Sequence, residues 1–391
     1  MSDYPNAASR SAALFERAKR VMPGGSSRQN VTFEPYPIYA ERGAGCIVTD
    51  VDGVERIDFI NNYSALIHGH AHPAIVRALQ QQTEILGAVA APTESEIALA
   101  EVLVERLPSV ERVRFCNSGT EAVMLAVQAA RTFTGLPKVA RVEGAYHGGY
   151  DFDAVMLPLD DIERTQELLE ENTAALAGVL FDPIIGRLGF REASLAYIRF
   201  LRDWTRRNER LFILDEVFSL RIDYHGVQGR YKLDADLTAL GKIIGGGIPV
   251  GAIGGKSEVM AVFGTRLPHN GTFNANPLAM VAGRVSMELL TPQEIARINL
   301  LGDRLRVGIA GILADSSIAA KAQGVGSMIA IAPVNTPLNF ALFKELLNHG
   351  VLMMPRGAFV ISTPMREADI DRTLEALAAS MRSLSPSAAN V

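Results

Sequence analysis

The chain has 391 residues, 48% of them apolar and 21% charged, and its 38 basic against 43 acidic residues give a net charge of −5. This is globular composition, which excludes wholesale disorder, and at about 150 residues per domain the length predicts two or three units. The absence of a dense basic stretch argues against a nucleic-acid or anionic-membrane partner, no window of 18 apolar residues predicts a membrane span, and two cysteines cannot frame a secreted disulfide fold. The polar start, Met1 to Arg10, lacks the apolar stretch of a signal peptide, so a cytoplasmic protein is expected.

In chain order, an amphipathic helix is predicted over 9–21, ended by Pro23-Gly24-Gly25. Cys46–Thr49 and Arg56–Ile60 flank Asp52-Gly53, a hairpin signal, and helices follow near 73–87 and 94–107. From there the rhythm changes. Strand-like runs at 113–116, 139–142, 178–181 and 211–214 alternate with helical patterns at 119–134 and 194–208. Such punctuation predicts an α/β fold with a mostly parallel sheet covered on both faces. After Pro277 the order becomes α+β. A helix runs to about 290 and another spans 294–313. Strand 328–332, a helix over 338–349, strands 351–354 and 358–362, and a helix over 367–381 follow. The tail from Ser383 to Val391 reads as frayed. We expect a large domain over 61–288, a small α+β domain over 289–391 with the boundary near Leu290-Thr291-Pro292, and residues 1–60 packed with the small unit.

Ligands of open α/β sheets sit outside the carboxyl ends of the strands, so the residues after each predicted strand are the candidates. Asn117-Ser118-Gly119-Thr120-Glu121 follows the first strand with capping-box spacing. It suits a plain capped helix, and equally a phosphate cup made of free N–H groups. Asp215-Glu216 ends an apolar strand, where a carboxylate is costly without a cation or donor; a capping or salt-bridged Asp is the alternative. Lys242, in Leu240-Gly241-Lys242-Ile243-Ile244, is either a solvated surface charge or a desolvated amine that attacks carbonyls. A phosphate cup, a buried acid and a buried amine together are what pyridoxal phosphate requires. The amine forms a Schiff base and the acid keeps the pyridine nitrogen protonated. Tyr146, in Gly144-Ala145-Tyr146-His147-Gly148-Gly149, could stack on the ring, with Val217 closing the opposite face.

Asn117-Ser118-Gly119-Thr120-Glu121-Ala122, Tyr146-His147-Gly148, Asp215-Glu216-Val217, Leu240-Gly241-Lys242 and Gly271-Thr272-Phe273-Asn274-Ala275-Asn276-Pro277 occur in that order. In this the chain resembles the class III, fold-type I, pyridoxal-phosphate-dependent aminotransferases over roughly residues 20–380. The resemblance is to the glutamate semialdehyde aminomutase and β-amino-acid aminotransferase branches. Met22-Pro23-Gly24-Gly25-Ser26-Ser27-Arg28 and Tyr63-Ser64-Ala65 are similar to both, and Phe218-Ser219-Leu220-Arg221 favours the second. The resemblance implies a mostly parallel, seven-stranded-type sheet in a large domain, with a smaller α+β domain. It implies pyridoxal 5′-phosphate held by Ser118, Gly119, Thr120, Tyr146, His147, Asp215, Val217, Lys242 and Thr272. Lys242 and Asp215 would be catalytic, and Arg28, Tyr63 and Arg356 would bind substrate, the arginines through carboxylates. Thr272 would reach the phosphate of the neighbouring subunit, implying a homodimer with shared sites. The implied activity is a ping-pong transfer of an amino group from an amino acid, β-amino acid or related amino carboxylate, to a keto acid. An intramolecular aminomutase is the rival, and a non-catalytic cofactor-binding module the distant one.

The chain departs from the family pattern in two places. Asp182-Pro183 stands where many members have Glu-Pro, and Ser219-Leu220 replaces the usual Thr-Gly. His68-Gly69-His70-Ala71-His72 has metal-like spacing, but no carboxylate set completes it, so no metal is expected. Gly245-Gly246-Gly247 and Gly255-Lys256-Ser257 miss the dinucleotide and phosphate-loop spacings because Val250 stands where each requires glycine.

Overall fold

The structure is a computed structural model that describes residues 4–150, 152–316 and 318–384. A small sheet opens it, with strands β1 (Ala40–Ala44), β2 (Ile47–Asp50) and β3 (Glu55–Asp58). The chain then builds the central sheet from β4 (Arg112–Cys116), β5 (Lys138–Val142), β6 (Ala154–Leu157) and β7 (Leu176–Phe181). A two-residue hairpin, β8 (Ile184–Ile185) and β9 (Arg191–Glu192), interrupts it before β10 (Leu211–Asp215), β11 (Leu237–Gly241) and β12 (Gly251–Gly255). The C-terminal part adds β13 (Lys321–Val325), β14 (Met328–Ala332), β15 (Val351–Leu352) and β16 (Ala358–Val360).

The central sheet has seven strands in the order β4-β12-β11-β10-β7-β5-β6. Only β12 runs against its neighbours. Every residue of β7, β10 and β11 is buried, which is why these strands read as unbroken apolar runs. Along β10 the side chains alternate between two cores. Phe212 and Leu214 join the helix Leu195–Arg207, while Leu211 and Ile213 join the helix Gly119–Thr134. Asp215 continues the second set at the strand's carboxyl end.

β12 is glycine-rich and reads as a loop in the sequence. A Cβ at Gly251 would lie 2.0 Å from the Ser118 carbonyl oxygen, so the strand packs only without side chains there. β6 and the helix Ile162–Asn172 are likewise absent from the sequence expectation. The predicted strands 351–354 and 358–362 shorten to β15 and β16, and these enter different sheets. β15 pairs in parallel with β3, whereas β16 pairs with β14. The last helix, Glu367–Leu384, continues through Ser383, where the sequence suggested fraying; residues 385–391 lie outside the described residues. Among the described residues, no helix is long and apolar enough to cross a membrane.

Candidate active site

The carboxyl ends of β4, β5, β7, β10 and β11 open onto one cavity of about 760 Å³. After β4 come Ser118, Gly119 and Thr120; after β5, Tyr146, His147 and Gly148; after β7, Asp182 and Arg187. Asp215, Val217 and Phe218 follow on β10, and Lys242 on β11. Arg28, Tyr63, Met354 and Arg356 belong to the same lining. Eleven of the twelve predicted site residues therefore meet in one place, counted as the lining residues Arg28, Tyr63, Ser118, Gly119, Thr120, Tyr146, His147, Asp215, Val217, Lys242 and Arg356. Thr272 is the exception. It lies exposed in the loop before the helix Pro277–Leu289, beside Phe273, which is 61% exposed.

The start of the helix Gly119–Thr134 is built as its spacing predicts, with one change. Ser118 Oγ accepts the Glu121 N–H at 3.1 Å, but the Glu121 carboxylate takes the N–H of Asn117, at 2.7 Å, rather than that of the cap residue. The first-turn N–H groups of Gly119 and Thr120 are left for a ligand. Gly119 is packed against Val217, whose Cγ1 would stand 2.6 Å from an added Cβ. Asn117 Nδ2 donates to Asn274 Oδ1 at 2.9 Å, tying this helix start to the loop that carries Thr272.

Asp215 is buried and, among the described residues, has no Lys or Arg partner. Its Oδ2 lies 2.8 Å from His147 Nδ1, and its Oδ1 accepts the Val217 N–H at 3.0 Å. The outer nitrogen of His147, Nε2, is buried without a partner among the described residues. Glu216 turns away from the cavity. It accepts N–H bonds from Val227 and Gln228 and a side-chain bond from Gln228, and burial pushes its carboxyl up to about 7.

Lys242 sits at φ 52°, just past β11, with its Nζ 4.9 Å from the centre of the Phe218 ring. Burial lowers its pKa, against the opposing pull of Asp215 and Asp182. Asp182 accepts the Ile184 N–H at 3.0 Å; burial, and secondarily the charge of Asp215, push its carboxyl well above the usual range. The sequence singled out Asp182 only as a departure from the family. Burial and the neighbouring Asp215 disfavour its charged form.

The substrate-side wall rests on an unusual turn. Asn61, Asn62, Tyr63 and Ser64 have φ of 49°, 48°, 55° and 76°, four left-handed residues in succession. Such a conformation costs roughly 1–2 kcal/mol per L-residue, so it persists only when every side chain is held. Asn61 Nδ2 donates to the Val360 carbonyl at 2.8 Å, and the Tyr63 hydroxyl donates to the Asn30 carbonyl. Asn62 Oδ1 accepts from Arg28 Nη1 at 2.7 Å, and Ser64 Oγ from Arg221 Nη1 at 3.0 Å. Arg221 is fully buried and, among the described residues, has no carboxylate partner. Its other donors go to Ser327 Oγ and the Ile361 carbonyl, and burial lowers its pKa to about 9. No part of this turn was legible in the sequence beyond the presence of Tyr63.

Of the three histidines with metal-like spacing, His68 and His70 are engaged elsewhere, and His72 Nδ1 is buried without a partner among the described residues. His68 bonds Thr363 Oγ1 and the Ser286 carbonyl, at 3.1 and 2.8 Å, and His70 bonds Asp58 at 2.9 Å.

A cavity at the strand ends of a seven-stranded α/β sheet, with an amine, an acid and an anion-ready helix start, defines a class of enzyme. The sequence profile of the family described as aminotransferase class-III matches residues 28–157 and 154–381, and the chain belongs to that family. Among solved structures it resembles an omega-transaminase from Sphaerobacter thermophilus. The TM-score is 0.93 and the identity 42%, covering 97% of this chain and 98% of that one. A glutamate-1-semialdehyde 2,1-aminomutase from Methanothermobacter thermautotrophicus is 36% identical over 94% of this chain and 97% of its own. The beta-phenylalanine transaminase of Variovorax paradoxus is 34% identical, over 93% and 90%.

Class III aminotransferases depend on pyridoxal phosphate, and the residues present fit it. The unoccupied N–H groups of Gly119 and Thr120 suit the phosphate. Val217 packs so close to Gly119 that no Cβ fits between them, which holds the helix start against the residue that follows Asp215 and Glu216. The carboxylate of Asp215, braced by His147, suits a protonated ring nitrogen, and Lys242 opens onto the same space.

Proposed function

We propose that this enzyme moves an amino group from a β-amino acid, or a related amino carboxylate, to a keto acid by a ping-pong mechanism. The observation that carries the reading is the meeting of Lys242, Asp215 and two carboxylate-seeking arginines, Arg28 and Arg356, in one cavity. Bound at Lys242, pyridoxal phosphate supplies an aldehyde that condenses with amines and a ring that takes up electrons from the neighbouring carbon. The chain does the rest. The Gly119 and Thr120 N–H groups and the Ser118 turn hold the phosphate, while Tyr146 and Val217 enclose the ring. Asp215, oriented by the Nδ1 of His147, keeps a proton on the ring nitrogen. Lys242, its charged form disfavoured by burial, would be the residue that moves a proton to and from the substrate carbon bearing nitrogen, once the substrate amine has displaced it from the aldehyde. Arg28, steered by Asn62, and Arg356 orient the substrate carboxylate, with Tyr63 between them in sequence and on the same wall.

A homodimer is part of the proposal. Thr272 stands exposed outside its own cavity, next to the exposed Phe273, and would serve the phosphate of the partner subunit. We also propose that residues 61–288 and 289–391 act as large and small domains, with 1–60 on the small one, which the β3–β15 pairing supports. A cytoplasmic location is supported by two buried, unpaired cysteines.

Similarity to the aminomutase favours one second reading, the return of the amino group to the same molecule. A panel of α- and β-amino acids, assayed with and without 2-oxoglutarate or pyruvate, separates the two. Turnover that requires the keto acid supports transfer, whereas turnover in its absence supports the mutase. Lys242→Ala should abolish both turnover and the borohydride-reducible adduct, and an adduct surviving in the variant would refute the lysine assignment.

A further inference from the structure

Three arginines face the cavity: Arg28, Arg356 and Arg187. The first two both stand near Tyr63, close enough for their charges to act on its hydroxyl, and can take one substrate carboxylate from two sides. Arg187 lies in the turn Gly186–Leu188, after β8, and no motif pointed to it. Its guanidinium carbon stands 4.4 Å from the centre of the Tyr146 ring. Among the described residues it makes no ion pair and no side-chain hydrogen bond. Stacking on an aromatic face fixes the plane of a guanidinium while leaving its N–H edge unspent. That edge is a planar fork with the geometry of a carboxylate.

A monocarboxylate held between Arg28 and Arg356 has no second carboxylate to offer the guanidinium stacked on Tyr146. Among the described residues no carboxylate pairs with Arg187; Asp182, in the same lining, accepts the Ile184 N–H instead. We infer that Arg187 is a second carboxylate anchor, distinct from Arg28 and Arg356, and that it selects a dicarboxylic keto acid as amino acceptor. The inference rests on the aminotransferase reading for the word acceptor. The anchor itself can be tested without turnover.

The test uses holoenzyme, wild type and Arg187→Gln, and calorimetric titration with glutarate and with pentanoate. The two ligands share a five-carbon chain and differ in the second carboxylate. Wild type should bind glutarate about tenfold or more tightly than pentanoate, and the variant should bind them alike with its pentanoate affinity unchanged. Arg187 is exposed, so the variant should keep the wild-type melting temperature. Equal binding in wild type, or a preference that survives the substitution, would overturn the proposal. So would a variant whose defect is weaker retention of pyridoxal phosphate, read from its absorbance, since Arg187 would then be a cofactor clamp. In the kinetic arm, the KM for 2-oxoglutarate should rise at least tenfold while that for pyruvate stays within twofold. If wild type transfers no amino group to any acceptor, the function reading fails, while the glutarate titration still decides the anchor.

Discussion

At Gly119 the missing methyl group decides whether the helix start can lie against Val217. An alanine there would place Cβ 2.6 Å from Val217 Cγ1, far inside contact distance, so the helix start or the valine must move. Either shift disturbs the N–H pair offered to a phosphate. Gly119→Ala should weaken pyridoxal phosphate binding by about tenfold or more, measured by absorbance titration of apoenzyme. Adding Val217→Ala should recover most of the loss. A single variant with unchanged affinity would remove Gly119 from the phosphate cup. Residues of this kind were legible in the sequence because each stands directly after a strand, where local order fixes position. Arg187 was not legible. Its partner, Tyr146, is 41 positions earlier (187 − 146), and only the fold of β5 beside β7 brings the two together.

Among the elements, the left-handed turn Asn61–Ser64 carries the most stored strain and the most explicit restraint. Ser64→Ala would leave one buried donor of Arg221 without an acceptor. The expected cost is about 1–3 kcal/mol of stability, read by denaturant unfolding. The same variant should loosen the turn that carries Asn62 and Tyr63. If stability is unchanged, Arg221 is satisfied in another way and the clamp is not what holds the turn. The sequence hid this element because Asn-Asn-Tyr-Ser has no periodicity, and its conformation is imposed by residues up to 299 positions away, as Asn61 and Val360 show. β12 was hidden for a different reason. Its glycines are demanded by neighbours such as Ser118, and a rule based on propensity reads them as loop. By contrast β7 and β10, buried on both faces, announced themselves as apolar runs.

Across the whole molecule, His68 joins distant parts of the chain, bonding the helix Pro277–Leu289 through Ser286 and the C-terminal region through Thr363. Burial holds its imidazole neutral and lowers its pKa from 6.5 to about 4. In the unfolded chain it takes up a proton near 6.5, so between those values the unfolded state binds more protons. His68 therefore contributes its full stability above about pH 6.5 and loses it as pH falls toward 4, by on the order of 3 kcal/mol. Unfolding free energies of wild type and His68→Gln, compared from pH 7 to pH 4, should converge on acidification. Parallel curves would mean that His68 is not the titrating group.

Asp215 and the strand that delivers Lys242 occupy adjacent rungs of one parallel ladder, with Asp215 opposite Ala239. Their separation is thus tied to the backbone hydrogen bonding of the central sheet layer, with Lys242 one residue past the end of its strand. The walls that face a substrate, around Arg187 and around Arg356, hang from connections outside that layer. Exchange of those connections for others of similar length should therefore retune what the pocket admits, while the acid and the amine keep their spacing.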